Sequence, residues 1–134
     1  MNSDLVHMSC VAVDEKGVLI AGRSGSGKSD LALRLIDRGA VLVSDDICAL
    51  RVKDGRLYAA APARLEGKIE VRGLGIIETS SAGEIAVSLL ADLDENHQRM
   101  PEAETRSLLG IAIPLIRLSA IEASAPIKIE WALR

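Results

Sequence analysis

Apolar positions along this chain fall into short runs, and most of the runs carry the spacing of strands. Leu5 to Val13, rich in Val and small apolar residues, predicts one strand, and Val18 to Ala21 predicts a second. The turn Asp14-Glu15-Lys16-Gly17 between them makes the pair a hairpin. One stretch has the helical period. From Lys28 to Arg38, Leu31, Leu35 and Ile36 share a face with Ala32 beside them, while Asp30, Arg34, Asp37 and Arg38 point away. Gly39 ends that helix where a left-handed residue is favoured. Ala40 to Val43 is then an apolar strand that stops at Ser44-Asp45-Asp46.

Ile47 to Lys53 and Arg56 to Ala61 alternate as strands about an Asp54-Gly55 turn, and Ala61-Pro62-Ala63 breaks the pattern. Leu65 to Ile77 is expected to be extended, with Ile69, Val71 and Leu74 apolar and Glu70 and Arg72 sharing the opposite face. Gly73 and Gly75 permit close backbone approach or an unusual dihedral there. Glu78 to Gly83 is a small polar loop, and Glu84 to Leu93 is another strand. Asp92 to Arg106, which contains His97 and Arg99, predicts a charged loop that a protein partner or substrate would order. Ile111 to Leu118 is a strand placed at an edge or a bulge by Pro114. Ser124 is expected to cap a last helix, with Pro126 in its first turn and Ile127 to Leu133 as its body. So many strands beside so few helices exclude a doubly wound sheet, in which helices alternate with strands. The expectation is an α/β domain with a mixed sheet that curls on itself and carries its helices on one side.

Composition sharpens this picture. The 134 residues suit one domain, 1–134, large enough for a real core. Hydrophobic residues make up 49% of the chain, yet there is no Phe and only one Trp and one Tyr, so the core must be aliphatic. The same poverty argues against base stacking on single-stranded nucleic acid, and the net charge of −3 argues against a polyanionic partner. Cys10 and Cys48 lie far apart without metal-ligand spacing and are expected to be buried thiols of a reducing cytoplasm. No run of ~18 apolar residues suggests a membrane span.

The chemistry concentrates in Gly22-Arg23-Ser24-Gly25-Ser26-Gly27-Lys28-Ser29, a complete phosphate-binding loop between a predicted strand and a predicted helix. Its glycines let successive N–H groups turn inward as a nest for phosphate oxygens, and the helix adds its unsatisfied N–H groups and positive dipole end. Lys28 is then placed to reach terminal phosphates, and the Ser29 hydroxyl to hold Mg2+. Asp45 and Asp46, at the end of the next buried strand, stand where phosphoryl transfer needs acids. One would accept the proton of an attacking hydroxyl while the other supports the metal. His7, a lone histidine in an apolar strand, is first a structural residue on this reading, though the aptness of histidine as a residue type for acid–base chemistry keeps a functional role open. Glu70 and Arg72 fit either a surface ion pair or a ligand-facing role.

Taken together, His7, the loop Gly22 to Ser29, Asp30-Leu31-Ala32-Leu33, Arg38-Gly39, Val43-Ser44-Asp45-Asp46 and the block Glu70 to Ile77 resemble the catalytic domain of the HPr kinase/phosphorylase family. The resemblance covers residues 5 to 78 well and the remainder weakly. It implies a phosphoenolpyruvate-carboxykinase-like P-loop fold and Mg-dependent transfer from ATP to a serine of the phosphocarrier protein HPr or an HPr-like protein. It also implies Asp45 as general base, with His7 against it and Asp46 assisting. Ser29 and Glu70 would serve the metal, and Arg72 the phosphates or the incoming serine.

The departures matter as well. Long family members carry an N-terminal domain, whereas here the loop begins about twenty residues in, so the chain resembles the short form of regulatory phosphotransferase systems. The family's Phe-Asp-Arg-Leu-Gly block is replaced by Gln98-Arg99-Met100-Pro101, with Arg99 as the stand-in arginine, and its Gly-Arg-Asn loop by Arg117 to Ala125. The resemblance therefore does not carry phosphorylase activity or hexamer contacts to this chain, and homo-oligomer formation stays open. Two other readings stand beside it: a P-loop small-molecule kinase, and a non-catalytic nucleotide-binding regulatory module. The first lacks a substrate-binding insertion and an arginine-rich lid, and the second has no use for the acids.

Overall fold

The apolar runs do become strands, in the order the chain suggested. A computed structural model describes residues 3–94 and 99–134. The elements are β1 (Ser3–Val6), β2 (Met8–Val13), β3 (Lys16–Ala21), α1 (Lys28–Asp37), β4 (Val41–Ser44), β5 (Cys48–Lys53) and β6 (Arg56–Ala60). A short 3-10 turn precedes β7 (Lys68–Val71), β8 (Gly75–Glu78), β9 (Ile85–Asp92), β10 (Glu104–Leu108), β11 (Ile111–Arg117) and α2 (Ala125–Ala132). Among the described residues no helix is long and apolar enough to cross a membrane.

Several boundaries differ from expectation, each for a physical reason. The first strand is broken at His7, because β1 pairs with β5 whereas β2 pairs with β3 and β4. The extended segment 65–77 is a hairpin: β7 and β8 pair, with Arg72-Gly73-Leu74 between them and Gly73 at φ 91°. Arg72 thus lies in a turn, not on the strand face it was expected to share with Glu70. The expected loop 92–106 gives up its last residues to β10, which pairs with β11 through a turn at Leu109-Gly110. That turn has positive φ at both residues, 50° and 82°, as do Asp14-Glu15 (48° and 65°) and Asp54-Gly55 (52° and 73°). Two-residue hairpins demand this twist. Leucine at the first position disguises the third one. Ser124 precedes α2 without a side-chain cap, contrary to expectation. His97 lies outside the described residues.

The main sheet runs β1-β5-β6-β9-β3-β2-β4, and β11 with its partner β10 joins at β9. β9 is the branch point. Its start pairs with β6 and its end with β11, while β3 lies along its other edge. That split lets the sheet curl, with one apolar cluster on each face. Val11, Val18, Ile20 and Leu42 face α1 and α2, packing on Leu31, Leu35 and Ile129. Cys10, Leu19, Val43, Leu50, Leu57, Leu90 and Leu115 fill the inside of the curl. β3 is buried on both faces, which is why its run is continuously apolar rather than alternating. Pro114 fits because β11 gains its second neighbour only from Leu115 onward. The two thiols, expected to be buried, are both wholly enclosed in the curl, and the Cys48 thiol together with burial holds Cys10 protonated well above its ordinary range.

This topology positions the site. β3, β9 and β11 run parallel, and β4 points the same way because β2 is antiparallel to both β3 and β4. Their carboxyl ends therefore share one rim, which carries the glycine-rich loop, Asp45 and Asp92. The carboxyl edge of such strands is where α/β sheets place their ligands.

Candidate active site

The loop 22–29 leaves β3 and enters α1 directly. A turn closed by the Ser26 N–H on the Arg23 carbonyl (2.9 Å) reverses the chain, and the Leu31 N–H on the Gly27 carbonyl (2.9 Å) opens the helix. Two glycines are sterically obligatory. A Cβ at Gly22 would run into the Ser26 side chain, and Gly27 combines φ 102° with only 2.9 Å between a built Cβ and the Ala120 methyl. Gly27→Ala is accordingly expected to cost about 1–2 kcal/mol from the left-handed backbone alone, seen as a Tm several degrees lower in calorimetry.

Inside the loop the Ser26 hydroxyl is buried and, among the described residues, has no hydrogen-bond partner. A buried hydroxyl without a partner is costly, so a donor left over inside a nest of glycines fits an oxyanion ligand. The Lys28 side chain, almost fully buried, donates from Nζ to the carbonyls of Gly22 (2.7 Å) and Arg23 (3.0 Å). Those bonds use two of its three hydrogens and keep the ammonium over the loop.

Asp45 is the point where three elements meet. Its Oδ1 accepts the Ser29 hydroxyl at 2.6 Å and the Ser9 hydroxyl at 3.1 Å, and its Oδ2 accepts the Glu70 N–H at 3.0 Å. α1, β2 and β7 thus converge on one carboxylate that is 7% exposed. Asp46 is different in kind. It is exposed, held at φ 69°, and its N–H donates to the Ser9 hydroxyl at 3.1 Å. The paired acids consequently divide into one enclosed beside the loop and one facing water.

A second buried acid was not anticipated. Asp92, 4% exposed at the end of β9, binds Arg106 at 2.8 Å and accepts the Asp94 N–H at 2.9 Å. Asp94 in turn pairs with Arg23 of the loop at 3.3 Å, an exposed contact that contributes little stability. Asp92 carried the same signal as Asp45, an acid ending a buried strand, but the unseen β10 hid its partner. Ser9 was also missed. A serine between apolar residues of a buried strand must find a bond, and that was the available signal.

The structure therefore brings together Gly22 to Ser29, Asp45 and the Glu70 backbone. The Glu70 and Arg72 side chains are exposed on the β7–β8 hairpin, whose Glu70 N–H is the part bonded to Asp45. His7 is exposed in the bend between β1 and β2, and none of the three hydrogen bonds to Asp45 comes from it. Arg99 is exposed in the bend before β10. Among the described residues no three histidines, cysteines or carboxylates converge on a metal position. The donor set suits a hard ion held by one hydroxyl, one or two carboxylates, phosphate oxygens and water, which is the manner of Mg2+ rather than of a caged metal.

The chain matches the family of the HPr Serine kinase C-terminal domain over residues 1–125. The structure is similar to that of the HPr(Ser) kinase/phosphatase from Coxiella burnetii, with a TM-score of 0.82 and 31% identity, covering 97% of this chain and 93% of that one. Among curated relatives, the HPr kinase/phosphorylase of Geobacillus thermodenitrificans is 38% identical over 127 residues, which is 84% of this chain and 41% of that protein. That of Chlorobium phaeobacteroides (strain BS1) is 33% identical over 126 residues, 84% of this chain and 37% of that protein. The chain thus spans about two-fifths of the length of these relatives, and a quarter of the Clostridium botulinum protein that it matches at 45% identity over 75 residues. With a family match over most of its length and a curled mixed sheet in common with the Coxiella burnetii protein, the chain belongs to the HPr serine kinase C-terminal domain family.

Proposed function

We propose that this domain transfers the terminal phosphoryl group of ATP to a serine hydroxyl of HPr or an HPr-like protein. The observation that carries the reading is the enclosure of Asp45 against Ser29, the first hydroxyl after the loop lysine. The loop N–H groups and Lys28 bind and orient the phosphates, with the Ser26 hydroxyl as a further donor. Asp45 accepts the proton as the serine oxygen bonds to phosphorus; the bond from phosphorus to the ADP oxygen breaks, and ADP leaves. Such a base contributes about 10²–10⁴ in rate when positioned within hydrogen-bond reach. Mg2+, held by Ser29 with Asp46 and Glu70 as carboxylate candidates, would supply neutralisation of phosphate charge. Arg72, on the β7–β8 hairpin whose Glu70 N–H binds Asp45, is assigned to the transferring group or the incoming serine, and His7, two residues before Ser9 in the chain, to the surroundings of Asp45 rather than to a hydrogen bond with it.

The test is direct. The purified protein is incubated with ATP, magnesium and the HPr-like protein of the same organism, and added phosphate is read by intact mass. One addition, abolished by Ser→Ala at the acceptor position, is the expected result. ATP binding without any addition would overturn the reading and leave a nucleotide-binding regulatory module.

A further inference from the structure

The Ser9 hydroxyl makes two bonds at the site, to groups that the proposed chemistry uses differently. It donates to Asp45 Oδ1 at 3.1 Å and accepts the Asp46 N–H at 3.1 Å. A hydroxyl has one hydrogen and two lone pairs, so one atom joins the buried carboxylate to the backbone of the exposed acid. Ser9 is wholly buried on β2, opposite the strand that delivers both aspartates. The pairing of β2 with β4 slips there: Cys10 faces Ser44 while Val11 faces Leu42, which leaves Val43 as an extra residue. A bulge of this kind bends the strand and re-aims the side chains that follow it. Asp46 then turns at φ 69°, a region that a non-glycine residue occupies only when its surroundings hold it.

The carboxylate needs such a hold. Rotation about the last bond of an aspartate is soft, and its plane is set by what its two oxygens touch. On Oδ2 the donor is the Glu70 N–H; on Oδ1 the donors are Ser9 and Ser29. Ser29 is the hydroxyl assigned to the metal, which would take a lone pair of its oxygen and leave its hydrogen to Asp45, so its place also answers to the ligand. Ser9 has no ligand assigned to it: its hydrogen goes to Asp45 and its oxygen accepts the Asp46 N–H. We propose that Ser9 is the positioning residue of this site: it sets the plane of the Asp45 carboxylate and couples it to the Asp46 turn. The proposal rests on the kinase reading for its kinetic consequence but not for its structural one.

The variant Ser9→Ala removes one oxygen and adds nothing to a packed strand. Its kcat for phosphorylation of the HPr-like protein is expected to fall roughly 10–100-fold, with the Kd for ATP within about twofold of wild type. Ser9→Thr, which keeps the hydroxyl, is expected to recover most of the loss. A general structural role would instead lower ATP affinity and kcat together, and that result overturns the proposal. A crystal structure of Ser9→Ala gives the independent readout, with the Asp45 carboxylate expected to rotate away from its bond with the Glu70 N–H. An unchanged Asp45 plane in that crystal overturns the proposal whatever the kinetics. A wild-type protein that binds ATP but phosphorylates no HPr-like protein overturns the kinase reading alone, and the crystal comparison still decides Ser9.

Discussion

Asp45→Asn is expected to lower phosphoryl transfer to the HPr-like serine by roughly 10²–10⁴-fold while ATP binding survives. The separation follows from where the groups sit. Phosphate binding is assigned to the loop backbone, Ser26 and Lys28, and none of these hydrogen-bonds to Asp45. Proton acceptance is assigned to the carboxylate alone, and an amide of the same shape cannot take the proton. The substitution is not silent for the fold. Asp45 receives three donors, two on Oδ1 and one on Oδ2. An Asn that keeps its oxygen toward Ser9 and Ser29 turns its NH2 toward the Glu70 N–H, so two donors face each other. Leaving such a buried group unpaired costs about 1–3 kcal/mol, and Tm should drop with it. The measurement is therefore a pair: ATP affinity by titration calorimetry below the new Tm, and transfer by intact mass. If affinity falls in step with transfer, Asp45 serves the donor's metal rather than the acceptor's proton.

Leu90→Ala carries the largest expected effect on stability, about 2–5 kcal/mol, and a fall in Tm of roughly 10 °C. Leu90 is wholly buried on β9, paired with Leu19 of β3 on one side and Leu115 of β11 on the other. Its side chain points into the curl among Cys10, Val43, Leu50 and Leu57. Relief by collapse is poor there. The β9 backbone is bonded along both edges, and the neighbours are short aliphatic side chains fixed to other strands of the same sheet. With no Phe in the chain, no broad aromatic can swing into the space. A cavity that persists adds its own cost to the lost burial. The check is thermal unfolding by calorimetry; a decrease of only a degree or two would mean that the curl repacks freely.

The local features of this protein were legible in its order of residues because they depend on neighbours in the chain. Three expectations needed only a few consecutive residues: the period of α1, the Asp54-Gly55 hairpin, and the glycine spacing of the phosphate loop. The structure bears out the helix and the hairpin, and it places the glycine-rich loop between β3 and α1. The mixed, curled sheet with helices on one face followed from the count of strands against helices. Long-range pairing was not legible in this way. The break at His7 exists because β1 and β2 have different partners, and Leu109-Gly110 turns because β10 and β11 pair across it. Neither reason resides in the residues at the turn.

The same distinction holds at the site. The loop and the two aspartates stood out by spacing and by position after apolar runs, and the resemblance to a known family rested on them together with His7, residues 30–33, Arg38-Gly39 and the block Glu70 to Ile77. Which aspartate is enclosed, and by what, was decided when β2, α1 and β7 came together. Ser9 and the Glu70 N–H lie 36 and 25 residues from Asp45 in the chain, and only the fold makes them its donors. Asp92 and Arg106 are joined likewise, by a strand that the charge pattern hid. Hydrogen bonds and ion pairs act over about 3 Å whatever the separation along the chain. A sequence can therefore announce a glycine-rich loop between strand and helix, but the donors around the acid beside it are settled by packing.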